Sequence, residues 1–213
     1  MGQVLLWPQA RTELDREQIA LVLEAWRARS NAYAPYSRFF VGAALRAVRD
    51  QKRCIVRGCN VEHVIVNGVH AEQLAVGNMV EQLGANPRPY IQALAVVLAT
   101  SDPTLPAFPC MACRGIIAEF SQPNTVVLGG RLSEDGQNLV KVAVDTLGAL
   151  FPSYPQEQAA RLSALFDKAR EDPRITIAHV QARIAHLRLW CGRNLPPELD
   201  KPYGDFLAVR ELL

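Results

Sequence analysis

Apolar positions change period several times along the chain, and each change marks an element. Residues 15 to 30, DREQIALVLEAWRARS, place Ile19, Val22, Leu23 and Trp26 on one stripe at helical spacing. AYAPYS follows as a loop, because Pro35 cannot continue a helix. RFFVGAALRAV and RCIVRGC then read as two strands, joined at Asp50–Gln51 as an antiparallel hairpin. Val76, Met79, Val80 and Leu83 return to helical spacing, with Gly84 where a C-terminal cap belongs. IQALAVVLAT is a continuous apolar run, the pattern of a strand covered on both faces. CRGIIAEF is helical again, with Cys113, Ile116, Ile117 and Phe120 on one face, and NTVVLGG is a short strand.

The order helix, hairpin, helix, strand, helix, strand predicts an α/β fold, a three-layer α/β/α sandwich around a mixed sheet. Beyond LFPSYP the pattern shifts to helical segments, EQAARLSALFDKARE and IAHVQARIAHLRLW, with no convincing strand. The organisation predicted is a domain of residues 1–155 and a helical C-terminal extension of residues 156–213, in which no chemistry is visible.

Composition narrows the partners. The chain has 213 residues, 49% hydrophobic and 21% charged, enough to pack a core without disulfide staples. A net charge of +2 with no long run of one sign is too small to advertise a nucleic-acid partner, and none is expected. Arg46, Arg49, Lys52, Arg53 and Arg57 read as a solvated hairpin rim. No apolar stretch approaches the roughly 20 residues of a membrane span. The start, MGQVLLWPQARTEL, lacks the basic region of a signal peptide, and Leu6 stands where N-myristoylation needs Ser or Thr. An odd count of five cysteines then points to a reducing, cytoplasmic setting, where close cysteines bind metal or do chemistry.

Two of them do stand close. In PCMACRG, residues 109 to 115, Pro109 suits a helix start, and Cys110 and Cys113 can point at one common atom. A third ligand must come from elsewhere, and His70 in GVHAEQLAVG, at the start of the preceding helix, is the candidate. At a helix start both His70 and Glu72 can reach the space beyond the end, and the dipole there favours thiolate. Three protein ligands leave a fourth position open, which distinguishes a catalytic zinc from a structural one. Glu72 is then a base beside the metal, not a ligand. H-x-E followed by P-C-x-x-C is the signature of zinc deaminases. Cys54, Cys59 and Cys191 read as packing residues, and His179 and His186, in the C-terminal helical tract, as structural.

At these residues the chain resembles the cytidine deaminase family, over roughly residues 15 to 155. AYAPYSRFFVGAAL is similar to the family's N-terminal loop and first strand, GCNVE to its nucleoside-binding segment, PCMACRGIIAEF to its second metal helix, and LGALFPSYP to the end of its domain. The resemblance implies that His70, Cys110 and Cys113 hold one Zn²⁺ per subunit. It implies that Glu72 moves a proton from water to the ring nitrogen and helps expel ammonia. Asn60 and Glu62 would bind the ribose hydroxyl, Phe39 would pack on the pyrimidine, and the Ala71 backbone would contact the base. From the residues alone Phe40 competes with Phe39 for that place, and the lesser alternative for Asn60 and Glu62 is a turn with solvated side chains.

Gln73 follows Glu72 where three-cysteine members have arginine. Two thiolates and a histidine neutralise Zn²⁺ in formal charge, so the chain resembles the histidine-ligated branch, related to blasticidin deaminases. Two departures touch the substrate end. HVIV, His63 to Val66, replaces the family's NASY, and Tyr154 and Pro155 stand where a phenylalanine usually reaches a neighbouring active site. The activity implied is hydrolytic deamination of a free cytidine or deoxycytidine to the uridine product, in a cytoplasmic homo-oligomer, dimer or tetramer. The alternatives are a modified cytidine or a blasticidin S-like antibiotic as substrate, and a zinc-stabilised interaction module whose catalysis has lapsed.

Overall fold

A computed structural model describes residues 5–6, 14–64, 68–100, 107–171, 176–191 and 195–210. The chain forms two compact units, Met1–Leu150 and Phe151–Leu213. In the first, strand β1 (Leu5–Leu6) precedes helix α1 (Arg16–Arg29), the hairpin β2 (Val41–Arg49) and β3 (Lys52–Cys59), and helix α2 (Ala71–Leu83). Strand β4 (Tyr90–Ala99), helix α3 (Met111–Ala118), strands β5 (Val126–Leu132) and β6 (Leu139–Thr146), and the single turn α4 (Leu147–Leu150) complete it.

The sheet is mixed, in the order β1-β6-β5-β4-β2-β3. β4 lies at its centre, antiparallel to β2 and parallel to β5. Its alternate residues face opposite layers. Ala93, Ala95 and Val97 pack with Leu21, Val22 and Ala25 of α1, while Val96 and Leu98 line a cavity beside α2. This is the predicted three-layer arrangement.

Local chemistry sets the element ends. Asp15 caps α1, accepting the Gln18 amide at 2.7 Å while Gln18 Oε1 accepts the Asp15 amide at 3.0 Å. Asp50 and Gln51 both take positive φ, 47° and 68°, as a two-residue hairpin turn requires.

The buried face of α1 differs from the predicted stripe. Ile19 and Leu23 are exposed, and Leu21, Val22, Ala25 and Ala28 are buried. The alanines let the helix lie close on the sheet, so its inner face pairs two small residues with two large ones. The arginine cluster is also more engaged than a solvated rim. Arg49 donates to the carbonyls of Leu83 and Asn86, closing the C-terminal end of α2, and Arg46 pairs with Glu17.

The second unit holds helices α5 (Tyr154–Glu171), α6 (Ile177–Cys191) and α7 (Pro197–Arg210). They share a core that includes Phe166, Val180, Ile184 and Phe206, the two phenylalanine rings stacked 5.5 Å apart. His186 is buried, its Nε2 3.4 Å from the Tyr154 hydroxyl, whereas exposed His179 accepts the Thr176 amide. Among the described residues no helix is long and apolar enough to cross a membrane.

Candidate metal centre and substrate cavity

Two close approaches bring the start of α2 to the sheet. At Gly58 of β3 an added Cβ would sit 2.2 Å from the Ala71 carbonyl oxygen and 2.4 Å from the Ala75 nitrogen, so only glycine lets this turn pack there. Gly68, at φ 76°, would bring a Cβ within 2.0 Å of the Val61 carbonyl oxygen. Its bare backbone lets Val61 and Val69 exchange hydrogen bonds of 2.9 and 2.8 Å, tying the Asn60–Glu62 segment to the approach to His70.

His70 is the N-cap of α2, with extended backbone. Gln73 Oε1 accepts the His70 backbone N–H at 3.1 Å. Cys110 is likewise the N-cap of α3, one position before the helix proper, and Cys113 lies in its first turn. Arg114 holds this second turn in place, donating to the carbonyls of Pro109 at 2.8 Å and Leu150 at 2.5 Å.

The predicted donors meet. His70 Nδ1 lies 3.4 Å from Cys110 Sγ and 3.3 Å from Cys113 Sγ, and the three ligand atoms all fall within 4.8 Å of one another. Tetrahedral zinc with the usual bond lengths holds nitrogen and sulfur ligands about 3.5 Å apart. The set therefore fits zinc in spacing as well as in softness. Burial pushes the Cys113 thiol up, and the negative charges of Glu72 and Cys110 push it further. A bound dication reverses that balance and holds the sulfur as thiolate.

Glu72 is 4% exposed beside these donors. Burial raises its pKa, against the lowering effects of its own backbone amide, the Cys113 thiol and His70. Gln73 acts on the ligand's backbone rather than on the charge balance alone. Gln73→Ala is expected to weaken zinc binding about 10- to 100-fold, the usual effect of losing a group that orients a ligand. Competition against a chromogenic chelator measures it, and unchanged affinity would remove Gln73 from that role.

A cavity of about 300 Å³ reaches the metal donors. Phe39, Asn60, Glu62, Ala71 and Glu72 all line it, together with His70 and Cys110. Phe39, at 46% exposure, presents its ring there. Phe40 instead lies under the Arg29 guanidinium, 5.7 Å from its ring centroid. Asn60 is more than a solvated turn residue, since its amide accepts the Val41 N–H and donates to the Phe39 carbonyl, both at 2.8 Å. Glu62 accepts from the Tyr36 and Ser37 amides and from the Ser37 hydroxyl. The hydroxyl first, then those amides, holds its carboxyl below the usual range.

Sequence reasoning missed the apolar walls, Val41, Val69, Val96, Leu98 and Phe108. The alternation of Val96 and Leu98 along β4 was the available signal for two of them. In the segment after Glu62, Ile65 and Val66 lie outside the described residues. Tyr154 is 0% exposed and packs against Trp190, ring centroids 4.5 Å apart.

The family described as cytidine and deoxycytidylate deaminase zinc-binding region matches residues 15–129. A cytidine deaminase of Halalkalibacterium halodurans is 37% identical over 127 residues, covering 59% of this chain and 87% of that protein. Another, of Sporosarcina psychrophila, is 42% identical over 101 residues, 47% of this chain and 67% of that one. The crystal structure of cytidine deaminase from Burkholderia pseudomallei superposes with a TM-score of 0.51 at 32% identity, over 65% of this chain and 98% of that one.

Proposed function

The chain belongs to the cytidine and deoxycytidylate deaminases, zinc-dependent hydrolytic enzymes, and from that premise we propose that it deaminates a free cytidine-type nucleoside. The observation carrying this is the lining of the cavity. Among the described residues that line it, the ionisable groups beside the metal donors are two carboxylates, Glu62 and Glu72, with no lysine or arginine. A substrate phosphate meeting a carboxylate lacks the cation it needs, which supports the free nucleoside over its monophosphate.

Within that cavity the roles divide by position. Phe39 covers the pyrimidine, the Ala71 backbone meets its polar edge, and Asn60 and Glu62 meet the sugar hydroxyl. Asn60 retains one acceptor site and one N–H beyond its two backbone bonds. His70, Cys110 and Cys113 hold zinc, which when bound lowers the pKa of a coordinated water to about 7. Glu72 accepts a proton from the attacking water and delivers it to the ring nitrogen. Its carboxyl then assists departure of the exocyclic nitrogen as ammonia, leaving the uridine product. Burial suits Glu72 to this work, because it moves a carboxyl toward the pH at which it both takes and gives a proton.

The deaminase works as a homo-oligomer. Tyr36 and Val64, 60% and 70% exposed in the segments that carry Phe39 and Glu62, are the kind of surface a neighbouring subunit covers.

Ammonia release from cytidine, 2′-deoxycytidine, deoxycytidylate, base-modified cytidines and blasticidin S tests the assignment. Cytidine and 2′-deoxycytidine are expected to turn over, with deoxycytidylate lower in kcat/KM by on the order of a hundredfold, the scale of one like-charge contact. Deoxycytidylate turned over as well as cytidine, or turnover of blasticidin S or a modified base alone, would refute the free-cytidine reading. Silence across the panel with zinc bound would instead favour a lapsed interaction module.

A further inference from the structure

The loop carrying Phe39 occupies most of Glu62. Oε2 accepts the backbone N–H groups of Tyr36 and Ser37 at 2.9 and 3.2 Å, and Oε1 accepts the Ser37 hydroxyl. The Ser37 oxygen in turn accepts the Phe39 N–H at 2.9 Å. An ionised carboxylate offers about four acceptor sites and no donor, so this loop fills most of its capacity. The two backbone donors are fixed by the loop itself. The Ser37 hydroxyl hydrogen is different, because it turns freely about the Cβ–Oγ bond. It can leave Glu62 while the oxygen stays on the Phe39 amide.

A hydroxyl bound to Glu62 at the edge of a nucleoside cavity is the same chemical group that a sugar presents there. We propose that Ser37 is a specificity-determining residue whose hydroxyl stands in for a sugar hydroxyl at Glu62 Oε1, the two exchanging as nucleoside binds. The inference rests on the reading of Glu62 as the sugar-hydroxyl partner. Exchange replaces one hydroxyl–carboxylate bond with another, so the sugar hydroxyl gains little net affinity. A sugar without it leaves Ser37 in place, and the carboxylate is not stranded beneath the ligand. Stranding a polar group is how a site rejects an analogue lacking one hydroxyl. Ser37 removes that penalty and makes the site tolerant of a sugar that lacks the hydroxyl Glu62 would meet.

Removing the stand-in therefore makes the enzyme more selective. The test measures kcat and KM of the zinc-loaded full chain for cytidine, 2′-deoxycytidine and 3′-deoxycytidine, in the wild type, Ser37→Ala, Ser37→Thr and Ser37→Gly. In Ser37→Ala the kcat/KM ratio of cytidine to one of the deoxy analogues is expected to rise about tenfold, the scale of one hydrogen bond to a charged group. Ser37→Thr, which keeps the hydroxyl, retains the wild-type ratio. Loss of the Phe39 acceptor lowers all the substrates together and cancels in the ratio, so a merely structural role leaves it unmoved. Ser37→Gly gives the same rise and serves if the alanine variant fails to fold. An unchanged or smaller ratio in the folded variants overturns the proposal. Absence of turnover by the wild type sinks the nucleoside reading beneath it, whereas wild-type turnover with an unmoved ratio sinks only the role of Ser37.

Discussion

Replacing Glu72 with alanine is expected to leave zinc bound at one per chain while lowering kcat by about 10²–10⁴, the range a positioned acid–base group contributes. The separation of the two effects follows from geometry. The donor set is His70, Cys110 and Cys113, and Glu72 is outside it, so its loss removes a proton carrier and no ligand. Its place in the first turn of α2 is sheltered by Ala71 and Ala75, both 0% exposed, which keeps the helix end packed when the carboxyl is shortened. Glu72→Gln sharpens the test, since it keeps the size and one acceptor oxygen while removing the charge and the titrating proton. Metal analysis beside ammonia release reads both quantities in one sample. Normal ammonia release by either variant refutes the role, and so does loss of the metal from both, which would make Glu72 a ligand.

What could be read from the sequence was what depends on near neighbours. The hairpin turn at Asp50–Gln51, the Gly84 cap and the buried run of β4 each announce themselves within a few residues, and each lies where the pattern predicts. Strand β6 did not, although Val140, Val142 and Val144 alternate along it. Its pairing with β5 is closed by the turn at Ser133–Asn138, where the Ser133 amide reaches the Asn138 carbonyl at 2.8 Å. That turn does carry Asp135–Gly136, but inside a six-residue connection rather than the two-residue turn this pair usually marks. Helix α7 was hidden for the opposite reason. Pro202 lies inside it, and an interior proline removes a helical hydrogen bond, so the pattern argues against a helix that packing of Leu199 and Phe206 sustains.

The site divides in the same way. Ligands and base sit at helix starts in two short motifs, His70-x-Glu72 and Cys110-x-x-Cys113, each legible by its local spacing, while the fold brings the two motifs together. Gln73, Ser37 and Arg114 act through backbone groups, and Phe108 through a wall assembled from several strands. Residue type at one position says nothing about partners that only the folded chain supplies. Phe39 and Phe40 make the point most directly, since adjacent identical side chains are sorted by a cation from α1, Arg29, that covers one of them.

Cys113→Ala is expected to abolish both zinc binding and turnover, the opposite separation from Glu72. Cys113 is 0% exposed and its sulfur stands 3.3 Å from His70 Nδ1, so its removal takes one donor from a set of three, and among the described residues no further thiol or imidazole joins that set. Cys110→Ala is expected to do the same to the metal, because that sulfur is 3.4 Å from the same nitrogen. The two differ in what else they do. Cys110 is exposed, and its loss in the metal-free protein is expected to leave the thermal midpoint nearly unmoved. Cys113 is packed under α3 beside Ile117 and Ala118, and its truncation leaves a small void worth about 1 kcal/mol. Chelating the wild type separates the metal's contribution from the packing, because binding energy at such a site is also folding energy. Chelation should lower the midpoint and stop ammonia release, both restored by added zinc, whereas neither cysteine variant recovers. Stoichiometric zinc with turnover in Cys113→Ala would show that three-donor geometry does not hold the metal, and with it the open position that the chemistry requires would lose its basis.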